Sequence, residues 1–360
     1  MNLNNISQIK KLDKDDVAES ISLLPEQIKQ VLNDTKSIKL PESFKKCTKI
    51  MINGMGGSNL GGWVLKRLFS DQLKVSVDIL DGYTVPKSVD KNTLFLFSSY
   101  SGTTEEVLST YKEVKKRGAK MLILASGGPL AKRAKKDNVP GFVFEPKFNP
   151  CTQPRIGLGY SLFGLIYLFV KLGFIKMSSK DIQEIIKLLQ KNNNLLSLGV
   201  KIKNNKAKQI ALKMHGKMPV LVGSEFLMGN IHIFRNQITE TCKTFSTFLE
   251  LPDLNHFAME GLQYPKSNQR NMLFFFIESE LYHKRIQQRA ILTKKVVRQN
   301  KLEVFDHKLS SKTKLLQSFE LLQYGTWLSY YLGILNNVNP SEVPFVSWFK
   351  KELAKHPFKS

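Results

Sequence analysis

The 360-residue sequence predicts an α/β protein: two similar, doubly wound parallel-sheet lobes with flanking helices and a short C-terminal helical tail. Three observations predict it. Short apolar runs alternate with helical stretches along most of the chain, the sequence form of parallel sheets covered on both faces. The unit of apolar strand, glycine turn and helix occurs at 49–69 and again at 219–243, a weak internal repeat. The length also exceeds the roughly 250–300 residues that a single core usually holds. The expected division is 1–175 for N-terminal helices and the first lobe, 176–336 for the second lobe, and 337–360 for the tail.

The elements follow in order. Residues 15–33 carry apolar positions at helical spacing, and Pro25 opens a new helix start. CTKIMINGMGGSNLGGWVLKRLF (47–69) reads as strand, glycine turn and helix, and VSVDILDGY (75–83) as a second strand. TLFLFSSYSGTTEEVLSTYKEVKKRG (93–118) and AKMLILASGGPLAKRAKKDNVP (119–140) repeat the plan. An apolar helix at 158–174 closes the first half, and the second begins near 180. There, 217–243 is again strand, turn and helix, 271–280 a strand, 283–300 a helix, KLEVFDH a last strand and 313–335 a long helix. No Gly/Ser linker separates the halves, so they are expected to pack tightly.

Composition excludes several classes. With 42% apolar and 23% charged residues the chain is too apolar for disorder. Its longest apolar stretch, around 162–170, stops at Lys171, short of the ~20 residues of a membrane span. No apolar segment precedes the first charges, so a cytoplasmic protein is expected. The three cysteines lie about a hundred residues apart, which suits buried small side chains better than a disulfide framework or a zinc site. The net charge of +24 raises a nucleic-acid partner. Only nine of the 54 basic residues are Arg, however, and the lysines are dispersed. A solvated surface that attracts a small anion is the simpler reading. The first 45 residues read as too short and helix-poor for a helix-turn-helix module. Neither nucleic acid nor membrane is an expected partner.

Two turns carry chemistry. In GMGGS (54–58), Gly56 and Gly57 let backbone approach a ligand, and Ser58 adds a hydroxyl. In SYSGTT (99–104), Ser99, Ser101, Thr103 and Thr104 crowd a strand end just before a helix. Free N–H groups at helix starts, hydroxyl donors and strand C-termini together suit a phosphate. GMGGS has neither the full dinucleotide spacing nor a P-loop ending. SYSGTT before Glu105 and Glu106 also reads as a capping box, and both readings stay open at this level.

GMGGS, SYSGTT and ASGGPLA (125–131) resemble the sugar isomerase (SIS) domain. PEQI (25–28), PRIGLGYSLF (154–163), RNQITETCK (235–243), LPDLNHF (251–257) and NPSEVPFVSWFKKEL (339–353) are similar, in the same order, to segments of the bifunctional phosphoglucose/phosphomannose isomerases. The resemblance implies two SIS lobes, a homodimer and no metal or other cofactor. It implies interconversion of glucose 6-phosphate, and mannose 6-phosphate, with fructose 6-phosphate through a cis-enediolate. It makes Glu240 the base, His256 the ring-opening residue donated by the other subunit, and Arg155 the stabiliser of enediolate charge. Lys350 matches the C-terminal lysine, with Lys351 the alternative if the register slips by one. Ser58, Ser99, Ser101, Thr104, Thr103, Gly56 and Gly57 would bind the phosphate. The sequence departs from the family pattern at Gly325, where an acidic residue is usual, and at Asp253, Phe257 and Asn59. A non-catalytic sugar-phosphate sensor and an isomerase of another phosphosugar are the alternatives. A sensor has no need to combine Glu240, His256, Arg155 and a tail lysine.

Overall fold

The structure is a computed structural model that describes residues 1–356, so the last four positions of the expected tail lie outside the described residues. The first sheet contains β1 (Lys49–Asn53), β2 (Ser76–Leu80), β3 (Thr93–Ser99), β4 (Lys120–Ala125) and β5 (Gly141–Val143), in the order β2-β1-β3-β4-β5. The second contains β6 (Met218–Ser224), β7 (Thr247–Leu251), β8 (Met272–Glu278) and β9 (Glu303–Lys308), in the order β7-β6-β8-β9. Every pairing in both sheets is parallel. In each lobe the chain starts in an inner strand, steps to one side and returns to the other. This wiring places a topological switch point between β1 and β3, and its counterpart between β6 and β8. TLFLFSS of β3 is buried throughout, as a central strand covered on both faces requires.

The lobes join through helices. Gly57–Leu68 crosses Met228–Cys242 with almost no side chain between them: a Cβ on Gly229 would lie 2.5 Å from both Cα and N of Val64. Arg67 Nη2 also meets Glu250 Oε2 at 2.9 Å across the junction. The helix Lys314–Leu335 is buried from Gln317 to Leu335 and has no solvent face, so it acts as a core rod. Gly325 sits on that rod against Phe234, where a Cβ would come within 2.9 Å of the ring. Helix packing leaves no room there for an acidic side chain.

Several elements differ from the sequence reading. The N-terminal 45 residues hold three α-helices, Ile6–Leu12, Val17–Ser22 and Leu24–Asp34, so they are not helix-poor. All three helices are short, and the turn at Asp13–Asp16 that divides the first two interrupts the periodicity. The apolar stretch at 158–174 is a π-helical segment, Gly159–Phe163, leading into the α-helix Gly164–Lys171. Helices Ser179–Leu196 and Lys206–Met214 and the edge strand β7 are additions to the elements that the sequence predicts. The TFLEL of β7 is only partly buried and carries a charge, which hides its strand character. The three cysteines are free and buried. Among the described residues no helix is long and apolar enough to cross a membrane.

Gly229→Ala forces a methyl into the backbone of Val64, and overpacking of this kind costs about 1–3 kcal/mol. Urea unfolding is expected to show a lower midpoint at unchanged m-value; a wild-type midpoint would mean that the helices separate freely.

Candidate active site

The GMGGS and SYSGTT turns follow β1 and β3, so they flank the switch point of the first sheet. They are stitched together. Tyr100 N donates to Ser58 Oγ at 2.8 Å, and Ser98 Oγ donates to Ser58 O at 2.7 Å. Gly56 has φ +50° and ψ −128°, a conformation open mainly to glycine. Gly102, at φ +68°, lets SYSGTT lie against the ASGGP turn, where a Cβ would fall 1.9 Å from Gly127 O. Ser126 Oγ then donates to Tyr100 O at 2.6 Å and braces the turn from behind.

The hydroxyls form two pairs, Ser99 Oγ with Thr104 Oγ1 and Ser101 Oγ with Thr103 Oγ1, each at 2.7 Å. Ser58 and Ser99 are buried, Thr104 is half-buried, and Ser101 and Thr103 are exposed. Thr104 is the N-cap of helix Glu105–Lys116, yet its side chain caps no backbone N–H. Its hydroxyl is paired with Ser99 instead, so the capping box is not formed. Hydroxyls that can swivel and uncapped N–H groups at a helix start suit an anion such as phosphate.

The corresponding place in the second lobe is filled. Glu225, at φ +50°, follows β6, and its carboxylate accepts from His283 N at 3.1 and 3.3 Å. His283 is the N-cap of helix Lys284–Gln299. Ser224 N donates to the Tyr282 hydroxyl at 3.3 Å. A resident carboxylate thus occupies the helix start that would otherwise attract an anion.

Beside the first cradle, a Cβ on Gly57 would lie 3.4 Å from Arg155 N. This close approach brings in the PRIG loop. The Arg155 side chain is 2% exposed, and its Nη1 lies 3.5 Å from Glu240 Oε2. Its remaining contacts are complete: Nε to Thr241 Oγ1 at 3.2 Å, Nη1 to Gln153 Oε1 at 2.9 Å, and Nη2 to Pro340 O at 2.8 Å and Ser341 O at 2.7 Å. Burial pulls the guanidinium pKa down, and the Glu240 carboxylate opposes that pull. Glu240 lies in the last turn of Met228–Cys242 with its side chain 33% exposed, so one carboxylate is held by a buried cation and is still partly open to solvent. Among the described residues no group of three or more His, Cys, Asp or Glu side chains is placed to hold a metal ion.

Residues 43–139 match the SIS domain, and 203–353 match the bacterial phospho-glucose isomerase C-terminal SIS domain. A bifunctional phosphoglucose/phosphomannose isomerase of Caldicellulosiruptor bescii is 32% identical over 94% of this chain and 98% of its own length. The chain belongs to the bifunctional phosphoglucose/phosphomannose isomerase family. A second such isomerase, from Thermoplasma volcanium, is 29% identical over 90% of this chain and 98% of its own length. In fold, the chain is similar to a solved hypothetical protein from Thermus thermophilus (TM-score 0.74, 17% identity), covering 98% of this chain and 93% of that one.

The expected site residues of this family member fall into three places. Gly56, Gly57, Ser58, Ser99, Ser101, Thr103 and Thr104 form the cradle, and Arg155 and Glu240 adjoin it. His256 is not brought to them within the chain. It ends the 3-10 turn Asp253–His256 and is exposed. Asn255 holds that turn, donating to Thr293 Oγ1 at 2.7 Å and accepting from Arg289 Nη1 at 3.1 Å. Lys350 and Lys351 are exposed on helix Pro344–Leu353, which buries none of its residues. Gln153, Thr241 and Lys243 join the site without being singled out by the sequence. All three lie within or beside the family segments, but hydrogen bonds spanning 86 positions, such as Arg155 to Thr241, leave no local signal.

Thr104→Val removes one cradle hydroxyl and strands Ser99 Oγ. Fructose 6-phosphate affinity, read by titration calorimetry, is expected to fall about tenfold, as for one lost hydrogen bond to a charged group. Unchanged affinity would take Thr104 out of the cradle.

Proposed function

We propose that this chain interconverts glucose 6-phosphate, and mannose 6-phosphate, with fructose 6-phosphate by moving a proton between C1 and C2 through a cis-enediolate. The observation that carries this reading is the Glu240 carboxylate at 3.5 Å from the buried Arg155 guanidinium, whose loop abuts the hydroxyl cradle through Gly57. A dianion held at the hydroxyls extends its sugar carbons toward that carboxylate. Glucose and mannose 6-phosphates differ only at C2 and give the same enediolate, so a single base serves both.

In this reading Glu240 takes the C2 proton and returns it to C1. Four of the five Arg155 N–H groups are hydrogen-bonded and Nη1 also faces Glu240, so Arg155 acts first by fixing Glu240 and placing positive potential beside the developing oxyanion. An enediolate oxygen would compete with Gln153 Oε1 for Nη1. His256, exposed at the end of its 3-10 turn, is donated by a second copy in a homodimer and assists ring opening. Lys350 reaches the sugar from the tail, with Lys351 the other candidate. A fixed guanidinium supplies charge stabilisation where a metal would otherwise serve.

Glu240→Gln keeps the size of the side chain and removes the base. Turnover in a coupled assay is expected to fall about 10²–10⁴-fold with sugar-phosphate binding retained; activity within threefold of wild type would remove Glu240 from its role. If His256 acts across copies, neither Glu240→Gln nor His256→Ala is active alone. Mixing the two after mild dissociation should restore activity through hybrid dimers that hold one intact site, and no restoration at any mixing ratio would place His256 in its own chain's site.

A further inference from the structure

The helix that carries Glu240 ends at Lys243, a non-glycine residue in the left-handed region (φ +56°, ψ +29°). Helices often end this way, but usually on glycine, because a side chain there meets the backbone. Lys243 therefore carries backbone strain that glycine would relieve. Its side chain must return something, and its contacts show what. Lys243 Nζ donates to Asn339 O at 2.7 Å and lies 3.4 Å from Thr241 O. The next two carbonyls, Pro340 O and Ser341 O, are those that accept from Arg155 Nη2. Three successive carbonyls are thus held by two cations, both of them near Glu240.

The clasped segment is firm in itself. Ser341 N donates to Asn339 Oδ1 at 2.9 Å, and Asn336 Nδ2 donates to Cys242 O and Thr244 Oγ1, each at 2.9 Å. Three residues after Ser341 the tail helix Pro344–Leu353 begins, and it has no buried residue to secure it. Asn339 Nδ2 also donates to Asp15 Oδ2 at 3.2 Å, while the clasp is what ties the segment to the Glu240 end of the helix.

We infer that Lys243 is a positioning residue: together with Arg155 it latches residues 339–341, and so holds the tail bearing Lys350 at the Glu240 end of the cleft. The catalytic meaning of the latch rests on the isomerase reading above; the latch itself does not. The charged groups facing Lys243 are Arg155 from the PRIG loop, Glu240 from its own helix and Glu342 from the tail segment, with the Cys242 thiol adjacent. Burial and then Arg155 lower the Lys243 pKa to about 8, against the pull of Cys242, Glu342 and Glu240. The ammonium is the strong donor, so the latch is complete below that pH and weakens as the pH rises through it.

Lys243→Gly and Lys243→Arg, made in the full chain, test this. Amide exchange over 337–353, the thermal midpoint, and kcat and KM for fructose 6-phosphate are measured from pH 6.5 to 9.5. Lys243→Gly is expected to melt no lower than wild type, while its tail amides exchange about tenfold faster, the loss of one charge-assisted hydrogen bond. Its kcat is expected to fall about tenfold with KM nearly unchanged, as for a residue that acts only on the reacting geometry. Lys243→Arg, which stays charged, should keep both properties and shift the alkaline decline upward. A Lys243→Gly protein with wild-type tail exchange overturns the latch. Faster exchange with wild-type kcat overturns its role in positioning. Should Lys243→Gly fail to fold, Lys243→Asn, which also tolerates the left-handed region, is read by the same criteria. Absence of turnover in the wild type would sink the isomerase reading, while exchange still decides the latch.

Discussion

The buried guanidinium of Arg155 is the constraint around which the rest is arranged. A charge removed from water is tolerated only when its donors are satisfied and an opposite charge is near. Arg155 meets both conditions with groups from its own loop and two distant parts of the chain: Gln153 in the loop, Thr241 and Glu240 at the end of a second-lobe helix, and the carbonyls of 340 and 341. Satisfying one side chain therefore fixes where the carboxylate stands, where the tail departs and how the PRIG loop lies against Gly57. Stability and site geometry depend on the same contacts.

The two sheets share a wiring plan but not a task. In the first lobe the turns at the switch point carry small hydroxyls and glycines and stay open. In the second, Glu225 and Tyr282 close the equivalent turns from within, and the useful side chain lies at the far end of the following helix, at Glu240. On the proposed reading one lobe presents the binding groups and the other the acid–base group, so neither lobe alone would hold a complete site. Gly325 lets the core rod lie directly against Phe234.

Much of this was legible in the sequence, for physical reasons. Strands such as TLFLFSS are continuous apolar runs because both faces are covered, and the glycine and hydroxyl turns stand out against them. The SYSGTT turn could be read as a cap or as an anion site; the pairing of Thr104 with Ser99 shows that the cap is not made. The helical spacing over 15–33 and the new start at Pro25 correspond to Val17–Ser22 and Leu24–Asp34, whereas the short first helix Ile6–Leu12 gave too few turns to read, and β7 was hidden by its half-exposed, charged edge. Gln153, Thr241 and Lys243 were illegible because their importance lies in partners many residues away. His256 and Lys350 carry a different lesson. Their motifs stand out, yet the chain leaves both in solvent, and their spacing alone does not say what they meet.

The crossing at Gly229 bears on motion. Where two helices touch backbone to backbone, no side chain remains between them to change rotamer and let one slide past the other. Shear between the lobes is suppressed at the helix that begins with the GMGGS turn. A sugar would then meet turns and helices already locked in place, whereas the tail helix Pro344–Leu353, which buries none of its residues, lacks such anchorage.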